Sequence, residues 1–525
     1  EGLVTGGKVA KLKRGASGPP RQEPYLRLLV GVPLLFLIDA LAMVPTYVLS
    51  LWLVDCGWVT YILMVAVLGE HLHRAALVTL TVLTKWCLVG RVRPGSKAEE
   101  GSWEGMCHWV VRTLIERDQF NEALEGFINT EVLRFVFVIL GARIGRRASM
   151  DMISCTTPDL LSIGDYMLFG SKVGILCEDE AKRKAVQICR GANVLDNCVL
   201  CPGVTVGQRA ILGTNTLAAP GQYFPPDTIN TGNKGGQAVF LRKKAKGMPA
   251  TVALEAEANR RLESIWIWTA FNIGLCLVAM LEPVLKAVET LPFIVAICLP
   301  VSLAESMALA LVTMALEEFV EAGLLFVLKW TVIGRFKERE VVFFGLDHFK
   351  WMVWLMVSST FNHLDGFHGT ALYSAFLRAM GAKVGRGCTL FGFTLEFDLL
   401  EIGDCAHVGP DCDNTCHTVE NMVLKMVPVR LGSYSAMQRH SFVMPGAELG
   451  KGAALFEESQ VLKGETVPPD EVWAGNPAEP LRAPHRPRLW QVPRLALEPE
   501  GGVRVAARSP AVEVGGPAMP AQPML

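Results

Sequence analysis

Two kinds of hydrophobic pattern alternate along the chain. Leu26–Val54 is a near-continuous apolar stretch broken by Asp39, and Trp58–Gly90 is a second, interrupted by Glu70, His71, His73 and Arg74. Ile265–Leu285 and Leu291–Gly334 repeat this, the last holding Glu305, Glu317, Glu318 and Glu321. About 20 apolar residues suffice for a helix to cross a bilayer. The pattern therefore predicts four membrane helices in two hairpins, with short turns near Asp55–Gly57 and Lys286–Leu291. In the long second segment of each hairpin the crossing is expected to end near Val67 or Met314, and an amphipathic interfacial helix to run on. Asp39 is expected to be packed and paired with another helix.

After each hairpin the period changes to six. Apolar residues fall at Ile163, Phe169 and Ile175, then at Ile188, Val194, Leu200, Val206 and Leu212. In the second half they fall at Ile402 and Val408, then at Leu431, Met437, Val443, Leu449, Leu455 and Val461. Six fits neither a helix nor an alternating strand. It predicts a triangular solenoid: one short strand per side, three sides per coil, one aliphatic pointing inward from each strand. Coils must stack, since one alone cannot bury its core. Each solenoid is interrupted once, by Cys177–Gln187 and by Cys416–Arg430. Loops ejected from a regular scaffold are where function tends to sit.

The two halves also repeat each other literally. Lys85-Trp-Cys-Leu-Val-Gly-Arg91 returns as Lys329-Trp-Thr-Val-Ile-Gly-Arg335, and Leu140-Gly-Ala-Arg-Ile-Gly-Arg146 as Met380-Gly-Ala-Lys-Val-Gly-Arg386. Asp159-Leu-Leu-Ser-Ile-Gly-Asp165 returns as Asp398-Leu-Leu-Glu-Ile-Gly-Asp404. The expected fold class is mixed membrane α plus all-β, with two membrane hairpins each followed by a parallel β-helix. The segments are a basic flexible terminus (1–24), hairpin (25–90), helical adaptor (91–140) and β-helix (141–240). A linker helix (241–264), hairpin (265–334), adaptor (335–380), β-helix (381–482) and disordered tail (483–525) follow.

An apolar content of 51% is too high for an ordinary soluble enzyme. Fifty basic against 51 acidic residues give no electrostatic case for a nucleic acid partner. Lys and Arg flank the hairpins on their outer sides and are almost absent from the short turns, so both termini and both β-helices are expected in the cytoplasm. That compartment argues against disulfides among the 14 cysteines. No metal is expected: Cys198-x-x-Cys201 has no second pair, and Cys412, Cys416 and His417 lack a fourth ligand. The chain begins with Glu, as a fragment or a processed product would.

Aligned at an offset of 239, the copies differ at the root of the interruption: Glu178 in the first, His417 in the second. Imidazole accepts and returns a proton near neutral pH, which makes His417 a candidate catalytic residue. Nearby, Asn414 is a candidate oxyanion donor, and Glu420 either orients the imidazole or pairs with Lys425. His407 and His440 lie within the coils and are expected to be structural.

A six-residue β-helix with a histidine at a loop root, closed by Trp473-Ala-Gly-Asn-Pro-Ala478, resembles the hexapeptide-repeat acyltransferases. The resemblance implies a left-handed β-helix, His417 as general base, and a coenzyme A or phosphopantetheine thioester as donor with no permanently bound cofactor. Over Tyr25–Arg482 the repeated strings and Val461-Leu-Lys-Gly-Glu465 look like the membrane-bound C-terminal region of epsilon-poly-lysine synthetase-type nonribosomal peptide synthetases. Typical members have six membrane helices and three such domains; four and two are expected here. That resemblance implies an acyl- or aminoacyltransferase passing the acyl group to an amine or hydroxyl. Its implied partners are the lipid bilayer, a carrier domain or acyl-CoA, and a second β-helix in a pseudo-trimer whose base-less copy supplies the opposite wall. The chain would be the downstream part of a longer synthetase, or a stand-alone partner. The alternative is a non-catalytic membrane scaffold or export element.

Overall fold

A helix apolar on every face has to be covered by lipid or by other helices, and the chain has several. The computed structural model describes residues 4–5, 8–9, 25–97, 101–179, 182–244, 249–298, 301–360, 364–392 and 394–481. Most of the basic terminus and the whole of the 483–525 tail lie outside these. A wide π-type turn at Arg27–Gly31 leads into α1 (Val32–Trp52). α2 (Trp58–Met64) passes through a second such turn, Val65–Gly69, into α3 (Glu70–Leu88), which packs on α1. Among the described residues three stretches are long and apolar enough to cross a membrane: Arg27–Trp52, Thr60–Leu88 and Ile265–Val288.

The second hairpin departs from expectation. α8 (Ile265–Ala279) is followed at once by α9 (Glu282–Cys298), which runs straight through the expected turn at Lys286–Leu291. Lys286 reaches back one helical turn to Glu282 at 2.9 Å, a spacing that supports a helix rather than ending it. Ser302 opens α10 (Leu303–Leu328), which packs on α9, with a reciprocal Ser302–Glu305 capping box. α10, where the fourth crossing is expected, is not among the three: it is apolar only over Leu303–Met314, and Glu317, Glu318 and Glu321 follow.

Charges near these helices are paired. Arg74 of α3 forks onto Glu282 of α9 at 2.7 and 3.0 Å, joining the two hairpins, and also holds Glu70 at 2.8 Å. Asp39 accepts from Arg117 at 2.8 Å. Arg117 lies between α4 (Trp103–Glu116) and α5 (Asp118–Glu125), so the partner of Asp39 comes from the adaptor and not from a membrane helix.

After α6 (Glu131–Ile139) the chain forms three sheets of five, five and four strands, and after α12 (Ala371–Ala379) three of five, six and three, parallel except for one antiparallel closing strand in each set. The first set runs on to an antiparallel strand, Val239–Lys243, so it extends past the boundary expected at 240. α7 (Pro249–Glu263) then forms the linker. Hydrogen-bonded neighbours within each sheet are Asn193 with Ile211, Val199 with Leu217 and Thr205 with Tyr223, each 18 residues apart, which is three periods of six per coil. Where the interruptions enter, Val186 pairs with Leu161 and Val429 with Leu400; separations of 25 and 29 mean that 7 and 11 residues are looped out. Val194, Leu200, Val206 and Leu212 are wholly buried on the coil axis. Interior thiols are satisfied by backbone carbonyls, Cys198 by Gly213 at 3.1 Å and Cys412 by Gln438 at 2.9 Å.

The repeated strings meet in space. Lys85 Nζ lies 3.0 Å from Asp159, and Lys329 Nζ lies 2.9 Å from Asp398, both pairs largely sealed from solvent. Each ammonium sits 3.5 Å over the ring of the next tryptophan, Trp86 or Trp330. Those indoles donate to Ile139 and Ala379. Gly141 and Gly381 are glycines for two reasons: their φ values are +114° and +110°, and a Cβ there would collide with Asp159 and Asp398. Each membrane-proximal helix is thus pinned to the first coil of its own β stack.

Candidate active site

The second interruption is a β-hairpin, His417–Glu420 with Val423–Met426, turned by Asn421 and Met422 at positive φ and extended by the strand Arg339–Val342. His417 therefore stands on a pinned strand at the exit from a coil. One coil earlier, Glu396 is held by α11 (Leu346–Thr360), whose Trp351 and Trp354 are three residues apart on one face. The Trp351 indole donates to Glu396 Oε1 at 2.9 Å, and the Trp354 indole to the Leu395 carbonyl at 3.2 Å. Glu396 is completely buried, and the same Oε1 faces His417 Nδ1 at 3.0 Å. The Trp351 ring meets the imidazole edge-to-face at 4.9 Å.

This pair borders a cavity of about 280 Å³. Phe343, His348, Trp351 and Ser358 line one side, with Glu396, Asp413, Thr415 and His417 from the second β stack. Asp151, Ser171, Lys172 and Asp196 of the first stack line the other. Burial works against a charged His417, but the charge of Glu396, then those of Asp196 and Asp413, outweigh it and hold its pKa above the usual value. Desolvation by the walls, with the charge of Asp196, pushes Asp413 up to about 6, although one edge remains exposed. Burial pushes Asp151 up to about 7 against the Met152 N–H. With Nδ1 committed to Glu396, Nε2 of His417 is the nitrogen free to take a proton.

The other expected site residues are placed elsewhere. Asn414 is buried with its side chain inside the coil, and it does not line the cavity; its carbonyl accepts from Thr394 at 3.0 Å. A side chain on the inward face of a strand cannot reach a substrate outside the coil. Glu420 pairs with Lys463 at 3.0 Å and Lys425 at 3.2 Å, and these cations hold its pKa down against burial. The imidazole is oriented by Glu396 instead. His407 and His440 do not line the cavity. Sequence reasoning missed Glu396, Trp351 and His348. The offset of 239 carries the signal: it places Thr157 over Glu396, and Thr157 donates to Glu178 at 2.8 Å just as Glu396 meets His417. In the first copy Arg183 at 3.1 Å and Lys97 at 3.4 Å complete an ion cluster around Glu178.

No family model matches the chain. The delta-poly-L-ornithine synthetase of Acinetobacter baumannii (strain AB307-0294) is 25% identical over 403 residues, 71% of this chain and 28% of the relative. The chain thus spans well under half of that relative's length. A hexapeptide-repeat-containing acetyltransferase from Vibrio cholerae O1 biovar eltor, complexed with acetyl coenzyme A, is 18% identical. That comparison covers 24% of this chain and 86% of the structure, with a TM-score of 0.20. A serine acetyltransferase from Brucella abortus strain S19 is 9% identical, covering 42% of this chain and 92% of the structure, with a TM-score of 0.17.

Proposed function

We propose that the protein is a membrane-bound acyl- or aminoacyltransferase in which His417, held by Glu396, deprotonates an amine as it attacks a pantetheine or coenzyme A thioester. The observation that carries this reading is the His417–Glu396 pair, 3.0 Å apart on the wall of the cavity between the two β stacks. A buried carboxylate on Nδ1 fixes the ring and stabilises the imidazolium that forms. In the step, Nε2 takes the amine proton while the C–N bond forms. The C–S bond then breaks and the imidazolium returns the proton to the leaving thiolate. Asp151, Asp196 and Asp413 line the same cavity and offer carboxyl oxygens that can accept hydrogen bonds from the amine.

The Acinetobacter relative, a delta-poly-L-ornithine synthetase, supports an aminoacyl group as donor and an amine as acceptor. In this reading the first copy is a wall rather than a second centre, each β stack is a left-handed hexapeptide β-helix, and both face the cytoplasm. The donor is carried by coenzyme A or by a carrier domain, in the same polypeptide or in trans. Two of the four acids in the 291–334 segment have structural partners: Glu305 caps α10, and Glu318 accepts from the Gly366 N–H at 3.0 Å.

The test is thiol release in lipid nanodiscs from aminoacyl pantetheine and acyl-CoA thioesters, with amines as acceptors. His417→Ala is expected to lower kcat about 10²–10⁴-fold, the usual worth of a general base. Equal rates in variant and wild type remove His417 from the role, and a wild type inert towards every thioester removes the transferase reading.

A further inference from the structure

A second imidazole borders the same cavity. His348 on α11 is 2% exposed and lies between two aromatic rings, Phe343 at 3.8 Å and 17° and Phe271 at 5.2 Å and 6°. With both faces covered, only the ring edges can make polar contacts. One edge is used: the Phe344 backbone N–H donates to Nδ1 at 3.1 Å. A nitrogen that accepts carries no proton, so the neutral ring bears its proton on Nε2. Nε2 is buried and has no hydrogen-bond partner among the described residues. Burial lowers the pKa to about 3, which keeps the ring neutral at any working pH.

A buried N–H without an acceptor is costly, and folds seldom keep one. Phenylalanine would pack between Phe343 and Phe271 without that cost. His348 lines the cavity, and its Nε2–H is the one polar group of the ring without a partner among the described residues. His348 and His417 also both pack on one ring: their centroids lie 6.2 and 4.9 Å from that of Trp351. The aligned residue of the first copy, His108 at an offset of 240, is 21% exposed at its side chain and approaches Glu104 at 3.7 Å. The sealed arrangement therefore occurs in the copy that carries His417.

Resting on the transferase reading, we infer that His348 is a catalytic hydrogen-bond donor: its Nε2–H binds the thioester carbonyl oxygen and stabilises the oxyanion formed when the amine attacks. A neutral donor suits this position. It stabilises developing negative charge without surrendering a proton, and its geometry is set before the reaction begins. The division of labour is then clear. His417, made basic by a carboxylate, moves the proton, while His348, kept neutral by apolar burial, holds the oxygen.

The test compares His348→Phe, which keeps the packing and removes the donor, with His348→Gln, which restores an N–H. In nanodiscs with an aminoacyl pantetheine thioester, the Phe variant is expected to lose about 10²–10³-fold in kcat, as removal of one oxyanion donor does. KM should change little and the acidic limb of the pH profile should stay in place, since His348 has no charge to lose. The Gln variant should regain part of the rate. A Phe variant that melts like wild type and keeps kcat within about threefold overturns the assignment, since one donor is worth far more. A second readout does not depend on turnover: the carbonyl carbon of ¹³C-labelled S-acetyl-pantetheine should shift downfield on binding to wild type and less on binding to His348→Gln. An unchanged carbonyl signal in wild type overturns the donor role. Loss of turnover in wild type with the carbonyl shift retained sinks the transferase reading and leaves the donor standing.

Discussion

An imidazole that must take a proton and give it back is tuned by whatever holds its other nitrogen. For His417 that is Glu396, and the balance of burial against this carboxylate leaves the ring more basic than usual. The base form is needed, so kcat/KM should rise with pH through a midpoint above the ordinary histidine value. Glu396→Gln should move that midpoint down and lower kcat; a pH–rate profile of the variant that overlays wild type would remove Glu396 from the role. Glu420→Gln should leave kcat and its pH dependence unchanged, because its charge is spent on Lys425 and Lys463. His417 could be found in the sequence because it stands where the six-residue period breaks and where the copies differ. Glu396 also differs between the copies, standing over Thr157, but it lies 21 residues earlier, and only the closing of one coil brings it back beside His417. His348 and Trp351 are further away still, on a helix whose inward face is readable as apolar but whose target is not.

At the scale of elements, the period of six translated into coils because the solenoid axis admits one aliphatic per strand, a constraint local enough to survive in the sequence. The membrane helices were less legible. Composition marks where they are apolar, but it does not show that the Lys286–Glu282 pair carries α9 through the expected turn or that Ser302 and Glu305 cap the start of α10. The repeated Lys-Trp and Asp-Leu-Leu strings were visible as strings; their contact across 74 residues was not. That contact makes a prediction. Asp398→Asn leaves Lys329 buried without its counter-charge, which should cost about 3–5 kcal/mol, the usual penalty for halving a buried pair. Thermal or denaturant melting in a fixed lipid checks it. The double change Lys329→Met with Asp398→Leu should recover much of the loss, because apolar residues of similar volume often replace a buried pair at little cost.

For the molecule as a whole, the closing segment of the second stack docks on the first. Asn476 accepts from the Asn233 N–H and donates to the Asn215 carbonyl, both at 2.9 Å, and Lys234 pairs with Glu479 at 2.6 Å. Gly232 sits under this contact at φ +80°, and a Cβ there would press on the Asn476 carbonyl at 2.6 Å. Gly232→Ala should therefore loosen the seam between the stacks and reduce turnover, although it touches neither histidine. Activity unaffected at equal melting temperature would show that the first stack is dispensable as a wall. The two Lys–Asp pins bear on how the whole body can move. A load hung from one tether can swing and spin about it, whereas two tethers at separate points remove those freedoms and leave only a rocking about the line joining them. The cavity lies between the two stacks so anchored, so its distance from the apolar helices and the bearing of its mouth are fixed together. In the proposed reading, a thioester carried by a mobile partner would do all the searching and meet a stationary target.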